Sequence, residues 1–247
     1  MLLDSFDWVT IPAGFFWMGT NLEVDQVAAA DDWAKLVELP QHKVSLPSYQ
    51  ISRFPVTNAQ WVQFLAHSNY PWADRDKLWG HGLPKGQENH PIVWVTWHDA
   101  VAFCKWTGVR LPTEAEWEKA ARGIDKRLYP WGNHAPTSQL ANYDKQVGKT
   151  TAVDAYPQGK SYYGLFDMAG NTWEWTSTIW GTDTHNPEFR YPYQADDGRE
   201  NMDNPDILRV VRSGGWKYTP SLIRCAYRDW NKPHVRGSGL SFRVVAF

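Results

Sequence analysis

Apolar and polar positions alternate in several short stretches of this chain and recur at helical spacing in three others. Residues 8–19, Trp-Val-Thr-Ile-Pro-Ala-Gly-Phe-Phe-Trp-Met-Gly, place β-branched and aromatic residues on both sides of Pro-Ala-Gly, which predicts two strands joined as a hairpin. A looser stretch, residues 20–41, carries Asp31, Asp32 and Glu38 and is expected on the surface. Val44, Leu46, Tyr49 and Ile51 then resume a strand-like alternation.

Three helices announce their own starts. Thr57 with Gln60 precedes Trp61, Phe64 and Leu65; Thr96 with Asp99 precedes Ala100, Phe103 and Cys104 and stops at Gly108; Thr113 with Glu116 precedes Trp117, Ala120 and Ala121 and stops at Gly123. A threonine three residues before an acid or amide lets the two side chains each accept from the other residue's backbone N–H, and a glycine just past the last turn takes the left-handed conformation that ends it. Beyond Gly123 the periodicity dissolves. Long ordered loops are expected there, including residues 181–206, and loops of that length in a compact domain are usually functional. Arg209 to Trp216, Ile223 to Arg228 and Leu240 to Phe247 read as three closing strands of one sheet. No linker interrupts the pattern, so residues 1–247 are expected to form a single domain.

Composition narrows the function. The hydrophobic content of 43% is unusually aromatic, with Trp 16, Tyr 11 and Phe 10; such rings fill cores and also anchor ligands. A formal charge of −2 without a Lys/Arg run argues against nucleic acid or an anionic membrane as partner. No apolar run approaches the roughly 20 residues of a membrane span. The opening Met-Leu-Leu-Asp-Ser-Phe-Asp-Trp lacks the basic start and apolar core of a signal peptide, so the expectation is cytoplasmic. Two cysteines and eight scattered histidines supply neither a disulfide scaffold nor a recognisable zinc spacing.

The densest chemistry lies in residues 164–175, Gly-Leu-Phe-Asp-Met-Ala-Gly-Asn-Thr-Trp-Glu-Trp. Gly164 and Gly170 permit backbone angles that a side chain forbids, and Asp167, Asn171 and Glu174 offer oxygens to a hard cation. A plain turn feeding a buried strand explains the same residues equally well. The alternation of Trp173 and Trp175 with Thr172 and Glu174 predicts a short strand with one polar face.

Eight motifs in order resemble the formylglycine-generating-enzyme, or sulfatase-modifying-factor, family: Phe16-Trp-Met-Gly-Thr, Phe54-Pro-Val-Thr-Asn, Arg110-Leu-Pro-Thr-Glu-Ala-Glu-Trp-Glu, Tyr129-Pro-Trp-Gly-Asn, residues 164–175, Ser213-Gly-Gly-Trp, Arg224-Cys-Ala-Tyr-Arg and Ser241-Phe-Arg-Val. The resemblance implies an α+β, C-type-lectin-like fold with little regular secondary structure, small mixed or antiparallel sheets and about three helices. It also implies a calcium site at the side chains of Asp167 and Glu174 and the carbonyls of Gly170 and Thr172. A second calcium site would use Asn142 and the carbonyl of Tyr143, with the expected acid falling near Lys145 and Asp144 one residue away. Catalytic members hold copper through two cysteines between the counterparts of Gly215 and Arg224. Here residues 216–223, Trp-Lys-Tyr-Thr-Pro-Ser-Leu-Ile, contain no thiol, and a soft Cu(I) centre needs thiolates, so copper is not expected. Ergothioneine-type sulfoxide synthases resemble the domain too, but bind iron through histidines largely on an additional helical domain for which this chain has no room, so iron is not expected either. Cys104 and Cys225 align with two different disulfides of secreted relatives, whose partner positions here are Val244 and Ala121. Pairing of the two with each other stays open, and two buried free thiols would fit a reducing compartment.

Two functional readings follow. In the first the chain is a non-catalytic, monomeric module that binds a protein, peptide or glycan through Trp216, Tyr218, Ser221, Ile223, Tyr227, Asp229, Trp230, Asn231 and His234, since aromatics interleaved with short polar groups suit adaptable binding surfaces. Variable proteins of diversity-generating retroelements share this fold and diversify this segment at adenine-rich Asn codons. Tyr218, Ser221, Leu222, Ile223, Asp229, Asn231 and His234 are reachable from such codons, whereas Trp216, Lys217 and Trp230 are not. In the second reading the chain is a metal-dependent oxidoreductase acting on a thiol substrate. His98, His134 and His185 are its candidate general bases, though none sits in a recognisable catalytic pattern.

Overall fold

The two strands around Pro12 do not form a hairpin; they part and join different sheets. In the computed structural model, which describes residues 2–73 and 83–247, β1 (Trp8–Ile11) pairs antiparallel with β4 (Tyr49–Ser52), and β2 (Gly14–Met18) pairs antiparallel with β3 (His42–Leu46). The corner between them is pinned from outside: Lys119 Nζ donates to Pro12 O at 2.7 Å and to Gly14 O at 2.9 Å. Carbonyls held by a distant ammonium need no turn hydrogen bond of their own, and a local reading of Pro-Ala-Gly cannot register that.

Among the described residues there are five α-helices. Two short ones, α1 (Gln26–Ala29) and α2 (Asp32–Val37), were not anticipated; α3 (Asn58–Ser68), α4 (Trp97–Thr107) and α5 (Glu114–Arg122) start at the expected threonines, each with its reciprocal capping box formed. Stretch 20–41 is therefore not a loose surface segment. Ala28, Ala34, Val37 and Glu38 are buried, and Arg224 reaches Asp25 at 2.9 Å and Glu38 at 2.8 Å. Of the acids that suggested solvent, Glu38 is a partner of that buried guanidinium, whereas Asp31 caps α2 and Asp32 remains exposed beside Lys35.

Among the described residues the β-structure falls into three small sheets. One has the order β1-β4-β10-β5, with β5 (Val109–Arg110) and β10 (Val245–Ala246); one is β2-β3; the third runs β8-β7-β6-β9, with β6 (Trp173–Gly181), β7 (Leu208–Arg212), β8 (Asp229–Asn231) and β9 (Leu240–Phe242). The expected three closing strands are thus split. β7 and β9 flank β6, the fourth member of the sheet is β8, and the chain's end crosses to the first sheet, while residues 223–228 carry no strand. β6 is antiparallel to β7 and parallel to β9, so it sits inside the sheet, and its residues are buried on both faces except for half-buried Ser177. The expected polar face exists, but it is turned inward.

What makes an inward polar face tolerable is a layer of arginines. Arg122, Arg199, Arg209, Arg212, Arg224, Arg228 and Arg243 are each at most 2% exposed. Every residue of α5 is also buried. Glu114 and Glu118, one turn apart on α5, face Arg228 at 2.9 Å, Arg199 at 3.7 Å, Arg212 and Arg122. A buried carboxylate without such partners would be strongly destabilising, which explains why acids recur so densely in residues 110–118. Cys104 and Cys225 are both free and buried. Cys104 packs in the cluster that contains Val244, and Cys225 in the one that contains Ala121, so each thiol shares a core cluster with its implied partner position.

Candidate binding cleft

Residues 164–175 organise the site from beneath. Gly170 has φ +78°, and a Cβ there would lie 2.4 Å from Asn142 O, so only glycine lets the two loops touch. Across that contact Asn171 N donates to Asn142 O at 2.8 Å, and Asn171 Oδ1 accepts from Thr151 N at 2.9 Å and from Asn142 Nδ2 at 3.2 Å. Trp216 N donates to Asn171 O at 3.1 Å, and the turn at Asp144 and Lys145 caps the same segment, with Asp144 N donating to Tyr218 O at 2.8 Å and Lys145 N to Trp216 O at 2.7 Å. Gly214 makes the corner before Trp216: its φ is +66°, and a Cβ would meet Leu222 O at 2.6 Å. The C-terminal aromatic segment is thus fixed by backbone bonds to rigid loops, as a pre-organised recognition surface requires.

The result is a shallow cleft of about 120 Å³, lined by Trp173, Trp216, Lys217, Tyr218, Asn231 and Val235 and by residues 237–240. Trp173 is its buried floor, with the Tyr218 ring edge-on at 5.3 Å. Trp216 Nε1 donates to Ser238 O at 3.2 Å, and Lys217 Nζ lies over the same indole, 4.9 Å from its centroid. Tyr218 is 39% exposed, and His234 is exposed, whereas Trp216, Ser221, Asp229, Trp230 and Asn231 are half-buried.

Two expected surface residues belong to the core. Ile223 is fully buried among Tyr129, Ala141, Tyr143 and Ala169. Tyr227 is 6% exposed and packs its ring 5.9 Å from Trp173. The stretch that holds them was read as an alternating strand; it is instead a short 3-10 turn, Pro220–Ile223, followed by an irregular segment, so alternation could not say which side chains face out. Trp230 packs partly against Val37, Trp180, Leu208 and Val210. Asp229 accepts from Trp230 N at 2.8 Å, and burial pushes its carboxyl up to about 6. Not anticipated were Trp173, Val235 and residues 237–240; the run Gly237-Ser-Gly-Leu was their one visible signal, two small residues beside a backbone that approaches an indole.

The expected calcium ligands are otherwise engaged. Glu174 Oε2 accepts from Arg243 Nε at 2.6 Å and Trp117 Nε1 at 2.8 Å, and its Oε1 accepts from Arg243 Nη2 at 2.8 Å. Gly170 O accepts from Ser213 Oγ at 3.1 Å and Thr172 N at 2.7 Å. Asp167 accepts from Asn171 Nδ2 at 2.7 Å, and burial pushes its carboxyl up to about 8. A bidentate guanidinium already neutralises Glu174, so Glu174, Gly170 O and Asp167 as arranged are committed to donors of the protein itself. At the second position Asn142 is buried with its Oδ1 unpartnered, Tyr143 O accepts from Gln146 N, and Asp144 is exposed. Among the described residues no three His, Cys, Asp or Glu side chains group as metal ligands, and His134 and His185 are exposed. The thiols do not fit copper: both are fully enclosed, and burial pushes Cys225 up to about 12 and Cys104 higher.

Comparison with known proteins agrees with this architecture. The chain is 33% identical to the hercynine oxygenase of Mycolicibacterium smegmatis over 256 residues, 91% of this chain but 58% of that protein, so it spans little more than half the relative's length. It is 31% identical to the formylglycine-generating enzyme of Mus musculus, covering 96% of this chain and 74% of that one. Among solved structures, PvdO from Pseudomonas aeruginosa superposes with a TM-score of 0.73 at 26% identity, covering 96% and 93% of the two chains. Treponema denticola variable protein 1 shares the fold at a TM-score of 0.66 and 24% identity, covering 98% and 95%. Residues 4–246 match the sulfatase-modifying factor enzyme 1-like domain, and the chain therefore belongs to the formylglycine-generating-enzyme family.

Proposed function

We propose that the chain is a binding module that captures a protein, peptide or glycan on the cleft framed by Trp216, Tyr218 and Asn231, without performing the family's copper-dependent oxidation. The observation that carries this reading is the juxtaposition itself. An exposed tyrosine, a tethered tryptophan, a lysine and an asparagine side chain converge over a buried indole floor, and aromatic rings held rigid beside short polar groups give contact area at little entropic cost. The thiol chemistry of the catalytic relatives lacks its donors here, since residues 216–223 hold no cysteine and both cysteines lie in the core.

The finer reading is a diversified receptor. Of the positions compatible with adenine randomisation, Tyr218 and His234 are exposed, and Ser221, Leu222, Asp229 and Asn231 are half-buried, but Ile223 is wholly enclosed. Diversification that preserves the fold should therefore spare Ile223. Deep sequencing of this gene segment in its source population tests the idea. Adenine-directed changes at codons 218, 221, 231 and 234, with codon 223 constant, are expected; a uniform segment, or changes spread evenly over the whole gene, would contradict it.

A further inference from the structure

A second cleft, of about 580 Å³, shares no lining residue with the Trp216 cleft. Its walls come from the last turns of α4, from β5 and the residues after it, and from the loop before β7, with Val101, Val109, Leu111 and Met202 supplying hydrocarbon. Three charged side chains also reach it. Arg110 is already matched, its Nη1 and Nη2 donating to the Glu116 carboxylate at 2.7 and 2.6 Å. Lys105 is exposed at the rim. Glu200 is different: Oε2 accepts from Ser177 Oγ at 2.7 Å, while Oε1 accepts from Thr178 Oγ1 at 2.7 Å and Tyr193 Oη at 2.9 Å.

Those partners are hydroxyls, not cations, and a carboxylate has about four acceptor positions, so Oε2 keeps room for another donor. Arg209 adds a favourable field, but its Nη groups donate to the carbonyls of Ser177, Asn201 and Asn204 rather than to Glu200, and its Nε is buried without a partner; Glu114 opposes. A carboxylate in the wall of an apolar cleft, oriented by hydroxyls and without a bound counter-ion, complements an ammonium carried on a hydrocarbon body, because charge-assisted hydrogen bonds strengthen where water is excluded.

We propose that this cleft binds a small organic amine, its ammonium donating to Glu200 and its aromatic or aliphatic body lying against Val101, Val109, Leu111 and Met202. Burial pushes the Glu200 carboxyl up to about 7, so at lower pH the amine must displace a proton, and binding should weaken as pH falls below that value.

Isothermal titration of the intact chain with 4-phenylbutylamine, 4-phenylbutan-1-ol and 4-phenylbutanoate, which share one body and differ in head group, tests the assignment. At pH 8 the amine is expected to bind at least about tenfold more tightly than the alcohol, a difference of roughly 1.4 kcal/mol. Lowering the pH to about 6 should reduce amine affinity by about tenfold while leaving the alcohol unchanged, as a carboxyl titrating near neutrality requires. Glu200→Gln should erase the amine's advantage, and Val101→Trp should abolish binding of all three probes. Equal affinity for amine and alcohol, preference for the carboxylate probe through Lys105, or no heat from any probe would each overturn the proposal. The pH series on the unaltered chain decides the matter even if Glu200→Gln fails to fold.

Discussion

Glu174 shows how one residue's partners decide its role. With both oxygens in the Arg243 pair and a third bond from Trp117, its removal strands a buried guanidinium whose other donors reach Ser52 O and Phe166 O. Glu174→Ala should cost about 3–5 kcal/mol, the usual penalty for breaking a buried ion pair, and chemical denaturation should return the same loss in calcium and in chelator. A loss that appears only when calcium is present would restore Glu174 as a calcium ligand. Asp229 makes a second prediction. Its folded carboxyl titrates near 6, raised by burial above the ordinary value of 3.8, so the native state binds a proton that the unfolded chain releases. The associated stability is full below about 3.8 and is lost as pH rises through 6. Asp229→Asn should therefore flatten the melting-temperature profile between about pH 4 and 7, stabilising the protein most at the upper end. An unchanged profile would mean that Asp229 is solvated.

Helix starts were readable because a cap is a local device. Threonine, three residues and an acid or amide contain the whole mechanism, and Thr57, Thr96 and Thr113 each form it. Stretch 20–41 was misread for the opposite reason: Asp25 and Glu38 are paired with Arg224, roughly 190 positions away in sequence, and no local pattern can announce that. The hairpin at Pro12 failed likewise, since Lys119 is what holds its corner. For the cleft, the aromatic richness of residues 216–234 was legible, but which rings face solvent was not, because the turn at Pro220–Ile223 breaks the alternation on which orientation was inferred. The pairing makes a prediction for the whole segment. Limited proteolysis should leave residues 20–41 intact in the native chain, and Arg224→Met should expose them to cleavage by releasing Asp25 and Glu38. Ready cutting there in the unaltered protein would contradict the observed packing.

The fold builds a charged interior and presents the Trp216 cleft at its surface. Family motifs run from Phe16 to Phe242, and the first sheet joins β1 near the chain's start to β10 near its end, so thermal unfolding is expected to be a single cooperative transition; two separated transitions would divide the chain into domains. No helix among the described residues is long and apolar enough to cross a membrane. The central claim is that the Trp216–Tyr218 surface recognises a ligand while its neighbours merely support it. The most direct measurement is paired: binding affinity for a ligand selected from displayed peptides or a glycan array, and melting temperature, on Tyr218→Ala and Tyr227→Ala. Tyr218, at 39% exposure, should lose about 2 kcal/mol or more of binding, as anchor aromatics do, with its melting temperature nearly unchanged. Tyr227, at 6% exposure, should instead lose about 3–5 kcal/mol of stability, the cost of truncating a buried aromatic. If Tyr218→Ala binds as tightly as the unaltered chain, or unfolds as Tyr227→Ala does, this cleft is not the recognition site.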